Sequence, residues 1–329
     1  MSQVNVFKKL FCRVFQLGMR IALPFLPYRE PKLIEGVGGV PAVLQAHNID
    51  CVMLVTDAGV HGLGLTAHLE EELKAANIRC VVYDGTVANP TVANVEQARM
   101  LYLENGCQGL IAFGGGSSMD CAKAVGARIV RPKKPLAKME GLLQVMHRLP
   151  LLIAVPTTAG TGSETTLAAV ITDEKIHHKY PINDFSLIPH YAVLDPDVTL
   201  NLPRQLTATT GMDALTHAVE AYGSAAWKKL AELARATGVS TDASDEVAAK
   251  EFIAYIDAMN AAMDIPETLP GIRTEDIPQL ARYADHEANP LYPVPVLWGP
   301  DQLEKMYKQV QEVATHDGNG DPSHSQTAA

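Results

Sequence analysis

The sequence, 329 residues long, is short of positive charge. Lysine and arginine together number 27 against 37 aspartates and glutamates, which gives a formal net charge of −10 at pH 7. Proteins that bind nucleic acid carry a basic patch that neutralises phosphates, and this balance indicates no such patch. We therefore expect no nucleic-acid partner.

Cysteine is also scarce. The five cysteines are odd in number and scattered, and no two of them are spaced as CxxC. This pattern excludes a disulfide framework and a zinc knuckle, because each needs paired or closely spaced cysteines. We interpret the cysteines as reduced thiols and expect a cytoplasmic protein.

An uninterrupted apolar run long enough to cross a membrane is missing from the N-terminal segment. Residues 7–28, "FKKLFCRVFQLGMRIALPFLPY", are apolar and basic, but Arg13 and Arg20 interrupt them. No small-residue cleavage site of a signal peptide follows. We predict a packed helix within residues 1–29 and do not expect a membrane partner; loose association with a membrane surface is the alternative.

From about residue 50 the sequence alternates short β-rich runs with amphipathic helical segments. The runs "CVMLVTD", "RCVVYDG", "GLIAFGGGSS" and "LLIAVPTTAGTGSE" have this character. Such alternation predicts βαβ units and a parallel sheet, so residues 30–199 form an α/β domain. The pattern of residues 168–196 predicts a hairpin followed by a strand that returns to the sheet.

After residue 202 the pattern is helical. The predicted helices cover residues 203–222, 225–237, 244–263, 274–287 and 300–315, with Pro and Gly clusters between them. We therefore predict a helical domain over residues 200–315. The polar tail, residues 316–329, is expected to be disordered.

A glycine-rich turn is the strongest local motif. In "LIAFGGGSSMDCAKAVGA", residues 110–127, a buried strand runs into three glycines and a helix follows. Glycines let a ligand approach the backbone, and a helix N-terminus offers free N–H groups to an anion. The turn predicts a pyrophosphate site, although it is not the GxGxxG fingerprint; a tight turn without a ligand is the alternative.

Polar residues follow two further predicted strands. The hydroxyl-rich loop "VPTTAGTGSETT", residues 155–166, can hydrogen-bond cofactor ribose, phosphate or adenine; alternatively, its hydroxyls cap a helix. Asp57 ends an early strand, where its carboxylate can accept a bond from a ribose hydroxyl or cap a helix.

Asp213 and His217 are four residues apart on a predicted helix and project from one face. This spacing suits a divalent metal, but two ligands do not hold a catalytic metal, which normally has three from the protein. The alternatives are a carboxylate in the first turn of its helix and a hydrogen-bonded core histidine.

Taken together, "GGGSSMDCAKAVG", "PTTAGTGSE", "NPT" at 89–91 and "TGMDALTHAVEAY" resemble the iron-containing (group III) alcohol dehydrogenase family. The resemblance implies a Rossmann-like NAD(P)-binding domain followed by an all-α domain, the dehydroquinate synthase-like architecture. It also implies interconversion of a small alcohol and its aldehyde, Fe²⁺ or Zn²⁺ as the metal, and a homodimer. NAD is the expected cofactor, with NADP open.

The resemblance assigns roles to individual residues. Gly115, Gly116 and Ser117 would bind the pyrophosphate. Asp213 and His217 would be the first two metal ligands. The rest of the cofactor site would be formed by Asp57, Asn89, Thr157, Thr158, Thr161 and Lys179.

The sequence departs from the family after Tyr222. The family supplies two further metal ligands from an "HxxxH"-like run and from "PHG", and neither motif occurs here. "EAYGSAAWKKLAELA" instead resembles a segment that the family places after its last ligand. The resemblance thus implies a truncated helical domain, and apolar side chains of residues 203–263 are expected to be exposed. A chain that binds nucleotide without catalysis is the alternative function.

Overall fold

A computed structural model describes residues 5–200, 202–223, 226–269, 271–291 and 297–311. The described residues form two compact units. One is continuous and covers Leu26–Ala218; the other combines the described parts of residues 1–25 and 219–329. The predicted tail, residues 316–329, lies outside the described residues.

The strands described lie in the unit of residues 26–218. They are β1 Lys32–Glu35, β2 Cys51–Val55, β3 Arg79–Tyr83, β4 Gly109–Gly114, β5 Gly141–Leu142, β6 Leu151–Pro156, β7 Ala168–Asp173, β8 His178–Asn183 and β9 Tyr191–Leu194. Six of them build one parallel sheet in the order β1-β9-β6-β4-β2-β3, which confirms the predicted parallel sheet.

The α-helices are distributed over both units. They are α1 Val6–Ala22, α2 Val40–Ala46, α3 Ala58–Gly62, α4 Ala67–Ala75, α5 Val92–Glu104, α6 Gly116–Val130, α7 Arg204–Gly223, α8 Ala226–Ala236, α9 Asp245–Ala262, α10 Ile277–Ala288 and α11 Pro300–Val310. The division between the two units falls within α7.

Two apolar clusters cover the two faces of the large sheet. Met53 and Val55 of β2 pack on the side of α5 and α6, whereas Val52 and Leu54 pack on the side of α2 and α4. Neighbouring side chains of a strand point to opposite faces, so a strand covered on both sides is apolar throughout. Every residue of β2, β4 and β6 is accordingly buried.

The predicted hairpin is confirmed as β7 and β8, which pair antiparallel from Ala168 with Asn183 to Asp173 with His178. Together with β5 they form a three-stranded sheet, and β9 then returns to the large sheet. Val170 and Pro181 pair within this hairpin. The end of β8 lies beside the segment that follows β6, where the Asp184 amide donates to Leu167 O at 3.0 Å.

In the second unit, α8 and α9 pack through small side chains. The cluster between them contains Ala231 and Ala234 of α8 and Ala248 and Ala249 of α9, all fully buried, and Phe252, which is 4% exposed. Small side chains permit a close approach of two helices, so this pair needs few large residues. None of the described helices is long and apolar enough to cross a membrane.

Candidate functional site

The connections of β2 and β4 diverge at the carboxyl edge of the sheet. These strands are neighbours, yet β2 leads towards β3 on one side and β4 leads towards β6 on the other. A crevice forms where such connections part, and ligands of doubly wound proteins bind there. Asp57 follows β2 and Gly115 follows β4.

The glycine turn lets the backbone run close to other groups at this crevice. Gly114 has φ +146°, and a Cβ on it would lie 2.5 Å from Ser118 Oγ. Gly115 is the N-cap residue of α6 and offers no side-chain cap. The first N–H groups of α6 are therefore left available to an anion.

Asp57 joins the turn to the neighbouring helix. Its Oδ1 accepts a hydrogen bond of 2.9 Å from the Val60 amide, which makes Asp57 the N-cap of α3. Ser118 Oγ donates to Asp57 Oδ2 at 3.4 Å. The helix-cap role considered from the sequence is confirmed, and the carboxylate also lies beside the glycine turn.

Asn89, Ser117 and Lys179 form a chain of hydrogen bonds although they are far apart in sequence. The backbone N–H of Asn89 donates to Ser117 Oγ at 3.3 Å, and Lys179 Nζ donates to the side-chain Oδ1 of Asn89 at 2.7 Å. Lys179 is exposed, and among the described residues its ammonium donates to the neutral Asn89 side chain. An ammonium has three N–H groups, so two can still donate to an anion. These hydrogen bonds place the Lys179 ammonium beside the start of α6.

The threonine loop, residues 157–167, lies against the glycine turn. The Thr157 amide donates to Gly114 O at 3.0 Å. Cβ atoms on Gly115 and Gly116 would lie 3.7 Å from Thr158 Cγ2 and 2.9 Å from Thr161 Cγ2. The loop continues into β7 and caps no helix, so the capping alternative is wrong for it.

Lys123 holds the threonine loop from inside the protein. It is 1% exposed, and its Nζ lies within 3.1 Å of five oxygens. They are the carbonyl oxygens of Ser163, Thr166 and Ala168 and the hydroxyl oxygens of Ser163 and Thr166. Sequence reasoning missed this residue, although a lysine within the apolar run "DCAKAVGA" was an available signal.

Asp120 completes this buried arrangement. Its Oδ1 accepts from Ser163 Oγ at 3.2 Å and its Oδ2 accepts from the Val170 amide at 3.1 Å. Burial lowers the pKa of Lys123 to about 8, against the opposing effect of the Asp120 charge. Burial likewise raises the pKa of Asp120, while Lys123 opposes the rise. Each charge thus compensates the other, with Lys123 fully buried and Asp120 partly buried.

Asp213 and His217 lie on α7 within the same compact unit as the glycine turn. His217 Nε2 is 3.8 Å from Asp213 Oδ1, and the side chains are 54% and 42% exposed. The core-histidine alternative is therefore wrong. Asp213 is also far from the first turn of α7, which begins at Arg204, so the second alternative is wrong as well.

The threonine loop reaches α7 one turn before this pair. A Cβ on Gly160 would lie 2.8 Å from Thr210 O, so only glycine fits at that position without a shift. Within the described ranges, no group of three or more His, Cys, Asp or Glu side chains could hold a metal ion. Two ligands from one helix do not fit a catalytic metal, which needs a third.

The fold and crevice define a doubly wound α/β protein with a glycine turn at its topological switch point. The family model described as iron-containing alcohol dehydrogenase matches residues 33–196, a range that includes the glycine turn and the threonine loop. The chain belongs to this family of oxidoreductases. Residues before 33, including α1, lie outside the matched range.

Individual relatives are similar over part of their length. Choline dehydrogenase of Bacillus subtilis (strain 168) is 37% identical over 204 residues, which are 60% of this chain and 51% of that protein. Alcohol dehydrogenase 4 of Schizosaccharomyces pombe is 38% identical over 226 residues, 64% of this chain and 53% of that protein. The chain thus spans about half the length of the curated relatives it matches.

A solved structure shows the same fold. The alcohol dehydrogenase from Oenococcus oeni superposes with a TM-score of 0.78 at 23% identity, covering 87% of this chain and 100% of the other. At this identity the likeness concerns the fold alone.

Proposed function

We propose that this protein binds NAD and serves as an NAD(P)-dependent oxidoreductase that interconverts a small alcohol and its aldehyde. The observation that carries the proposal is the glycine turn at the switch point, flanked by Asp57 and the threonine loop. The names of the relatives, a choline dehydrogenase and an alcohol dehydrogenase, support substrates with a hydroxyl group.

In this proposal the dinucleotide pyrophosphate lies at the start of α6. The amides of Gly116 and Ser117 donate to its oxygens, and the positive end of the helix dipole attracts its charge. Lys179, held by Asn89, adds a positive charge beside the Ser117 hydroxyl. The phosphate oxygens would therefore interact with the amide dipoles at the start of α6 and with the positive charge of Lys179.

The two sides of the crevice would hold the nucleoside parts. Thr157, Thr158 and Thr161 present hydroxyls beside Gly115 and Gly116, where they can bond to ribose or phosphate. Asp57 would accept from a ribose hydroxyl, and its negative charge would repel the 2′-phosphate of NADP. We infer that NAD is preferred over NADP.

The metal is assigned separately, because the described residues do not complete a site for it. Asp213 and His217 would be the first two ligands of Fe²⁺ or Zn²⁺. A third ligand must come from another source, such as His177, His178 or a second subunit of the homodimer that the resemblance implies. We derive no step of the reaction through a metal held by two ligands.

We further propose that residues 200–315 are an all-α domain that lacks an internal segment of the family's metal-binding region. Exposed apolar side chains on its helices support this, since the missing helices would have covered them. The exposed residues are Leu206 (44%), Val247 (40%), Ile253 (42%) and Tyr255 (50%).

A second candidate function is a cytoplasmic chain that binds nucleotide without turning over alcohol. The count of two ligands among the described residues favours it. Both candidates share the nucleotide site and differ only in whether metal and turnover follow.

The decisive experiment measures metal, nucleotide binding and turnover on one preparation. The protein is purified without oxygen and supplied with Fe²⁺ or Zn²⁺, and bound metal per chain, NAD affinity and NADH oxidation with short aldehydes are measured. Metal near one per chain with turnover supports the dehydrogenase. NAD binding without metal or turnover supports the second candidate, and absence of NAD binding contradicts both.

His217→Gln is the matched variant for the metal. If α7 supplies ligands, this change removes bound metal and turnover while NAD affinity stays unchanged, because the glycine turn is intact. Turnover that survives the change would show that the metal, if any, is held elsewhere.

A further inference from the structure

The outer face of α1 is apolar and exposed to solvent. We define the α1 outer face by seven large apolar residues whose relative exposure ranges from 59% to 81%. At about 100° per residue they fall within one arc of roughly 140°. These residues are Val6, Phe7, Leu10, Phe11, Val14, Leu17 and Ile21.

The opposite face of α1 is already used within its own unit. Lys8 pairs with Asp285 at 2.6 Å, and Gln16 Nε2 donates to Pro290 O at 3.1 Å. Cys12 is buried against Leu297. The contacts of its inner face therefore fix the orientation of the helix, and they leave the α1 outer face exposed.

The charge of α1 is opposite to that of the chain. The helix contains Lys8, Lys9, Arg13 and Arg20 and no acidic residue, whereas the whole chain carries a net charge of −10. On the helical wheel Lys9, Arg13 and Arg20 occupy the arc next to the α1 outer face. A wide apolar arc beside a basic one is the arrangement of a helix that lies in the plane of an anionic membrane.

We propose that α1 binds the protein to the surface of an anionic phospholipid membrane. The α1 outer face enters the boundary between headgroups and acyl chains, and Lys9, Arg13 and Arg20 lie against the headgroup phosphates. The charge favours lipid over a second copy of this chain, because two such faces in contact would bring like charges together. The proposal is independent of the proposed catalytic function and concerns a segment outside the family match.

Vesicle co-sedimentation of the full chain tests the proposal. The probes are vesicles of phosphatidylcholine alone and of phosphatidylcholine mixed with phosphatidylglycerol, each at low and at high salt. We expect binding to the anionic vesicles to be at least about tenfold stronger than to neutral ones and to weaken at high salt. Equal or absent binding to both kinds of vesicle would overturn the proposal.

Two variants separate the apolar and the charge contributions. Leu10→Glu with Val14→Glu places charges at the centre of the α1 outer face, and we expect it to reduce vesicle binding at least about tenfold. Lys9→Gln with Arg20→Gln removes two cations and is expected to abolish the preference for anionic vesicles. Circular dichroism and urea unfolding establish that each variant is folded.

The matched control places the same two charges elsewhere. Leu63→Glu with Leu103→Glu changes two exposed leucines outside α1, and vesicle binding should stay as in the unchanged protein. Equal loss in the control would show a nonspecific charge effect and contradict the role of α1. The unchanged protein could instead form a dimer without binding vesicles, and the Leu10→Glu, Val14→Glu variant could dissociate that dimer. This outcome would overturn the membrane proposal and identify a second copy of the chain as the partner of the α1 outer face.

Discussion

Lys123 Nζ lies 2.7 Å from the carbonyl oxygen of Ser163, a residue 40 positions further along the chain. The contact ties α6, whose N-terminus follows the glycine turn, to the loop that lies against that turn. An ammonium has three N–H donors, and here five oxygens surround it, so its charge is solvated by the protein instead of by water.

We expect Lys123→Met to lower the free energy of unfolding by about 3 kcal/mol, because it leaves the loop oxygens and the partly buried Asp120 carboxylate without their cation. NAD affinity should fall as well, since the threonine loop loses its anchor. Urea unfolding and NAD titration measure the two effects. Lys138→Met changes an exposed lysine and should alter neither; an unchanged stability of Lys123→Met would contradict the anchoring role.

Stability should decrease as the pH falls from about 6.5 to about 4 because of His190. Burial, with a smaller contribution from Arg29, lowers the pKa of His190 to about 4. Its Nδ1 accepts from the Leu152 amide at 3.1 Å, which requires a neutral ring. In this interval the unfolded chain binds a proton at His190 that the folded one does not, so folding is opposed by up to about 3 kcal/mol.

Urea unfolding across this pH interval measures the His190 effect. His190→Asn should flatten the profile, and its stability at pH 7 should drop through lost packing. His68→Gln, which changes an exposed histidine, should leave the slope as it is. A slope unchanged in His190→Asn would assign the acid sensitivity to other groups.

Gly116→Ala should weaken NAD binding about tenfold, because the new Cβ would lie 2.9 Å from Thr161 Cγ2 and push the threonine loop away from the turn. Gly62→Ala is the matched control, since a Cβ there meets no atom within 4 Å. Titration calorimetry with NAD compares the two variants. Equal affinities would mean that the contact between turn and loop is not needed by the nucleotide.

Asp57→Asn separates the two roles of Asp57. The amide oxygen can still cap α3 through the Val60 amide, so stability should change little. The negative charge is removed, and we expect the preference for NAD over NADP to fall about tenfold. Dissociation constants for both cofactors measure this; if NADP affinity does not rise relative to NAD, Asp57 does not face the ribose.

Local patterns were sufficient to predict the parallel sheet and the glycine turn, because each strand and turn carries its own signal within a few residues. The contacts of Lys123 with residues 163–168 and of Asn89 with Lys179 depend on which strands become neighbours. The sequence does not express that order directly, so Lys123 and Asp120 were missed. Lys179 was assigned through the family resemblance and not through its local pattern.

For Asp213 and His217 the local sequence suggested two alternative roles that the structure contradicts. A carboxylate near a helix start and a core histidine are common roles, but both depend on where the helix begins and what covers it. The structure begins α7 at Arg204 and leaves both side chains half exposed. Neither the start of the helix nor the exposure of the two side chains can be predicted from the five residues 213–217 alone.

All nine residues assigned to the nucleotide lie between positions 57 and 179, inside a continuous unit with its own core on both faces of the sheet. The deletion proposed after Tyr222 would change neither the strand register nor the contacts of the glycine turn. In evolutionary terms the two halves of such a gene can diverge at different rates. Selection can preserve the nucleotide module while the metal-binding helices are shortened, exchanged or lost.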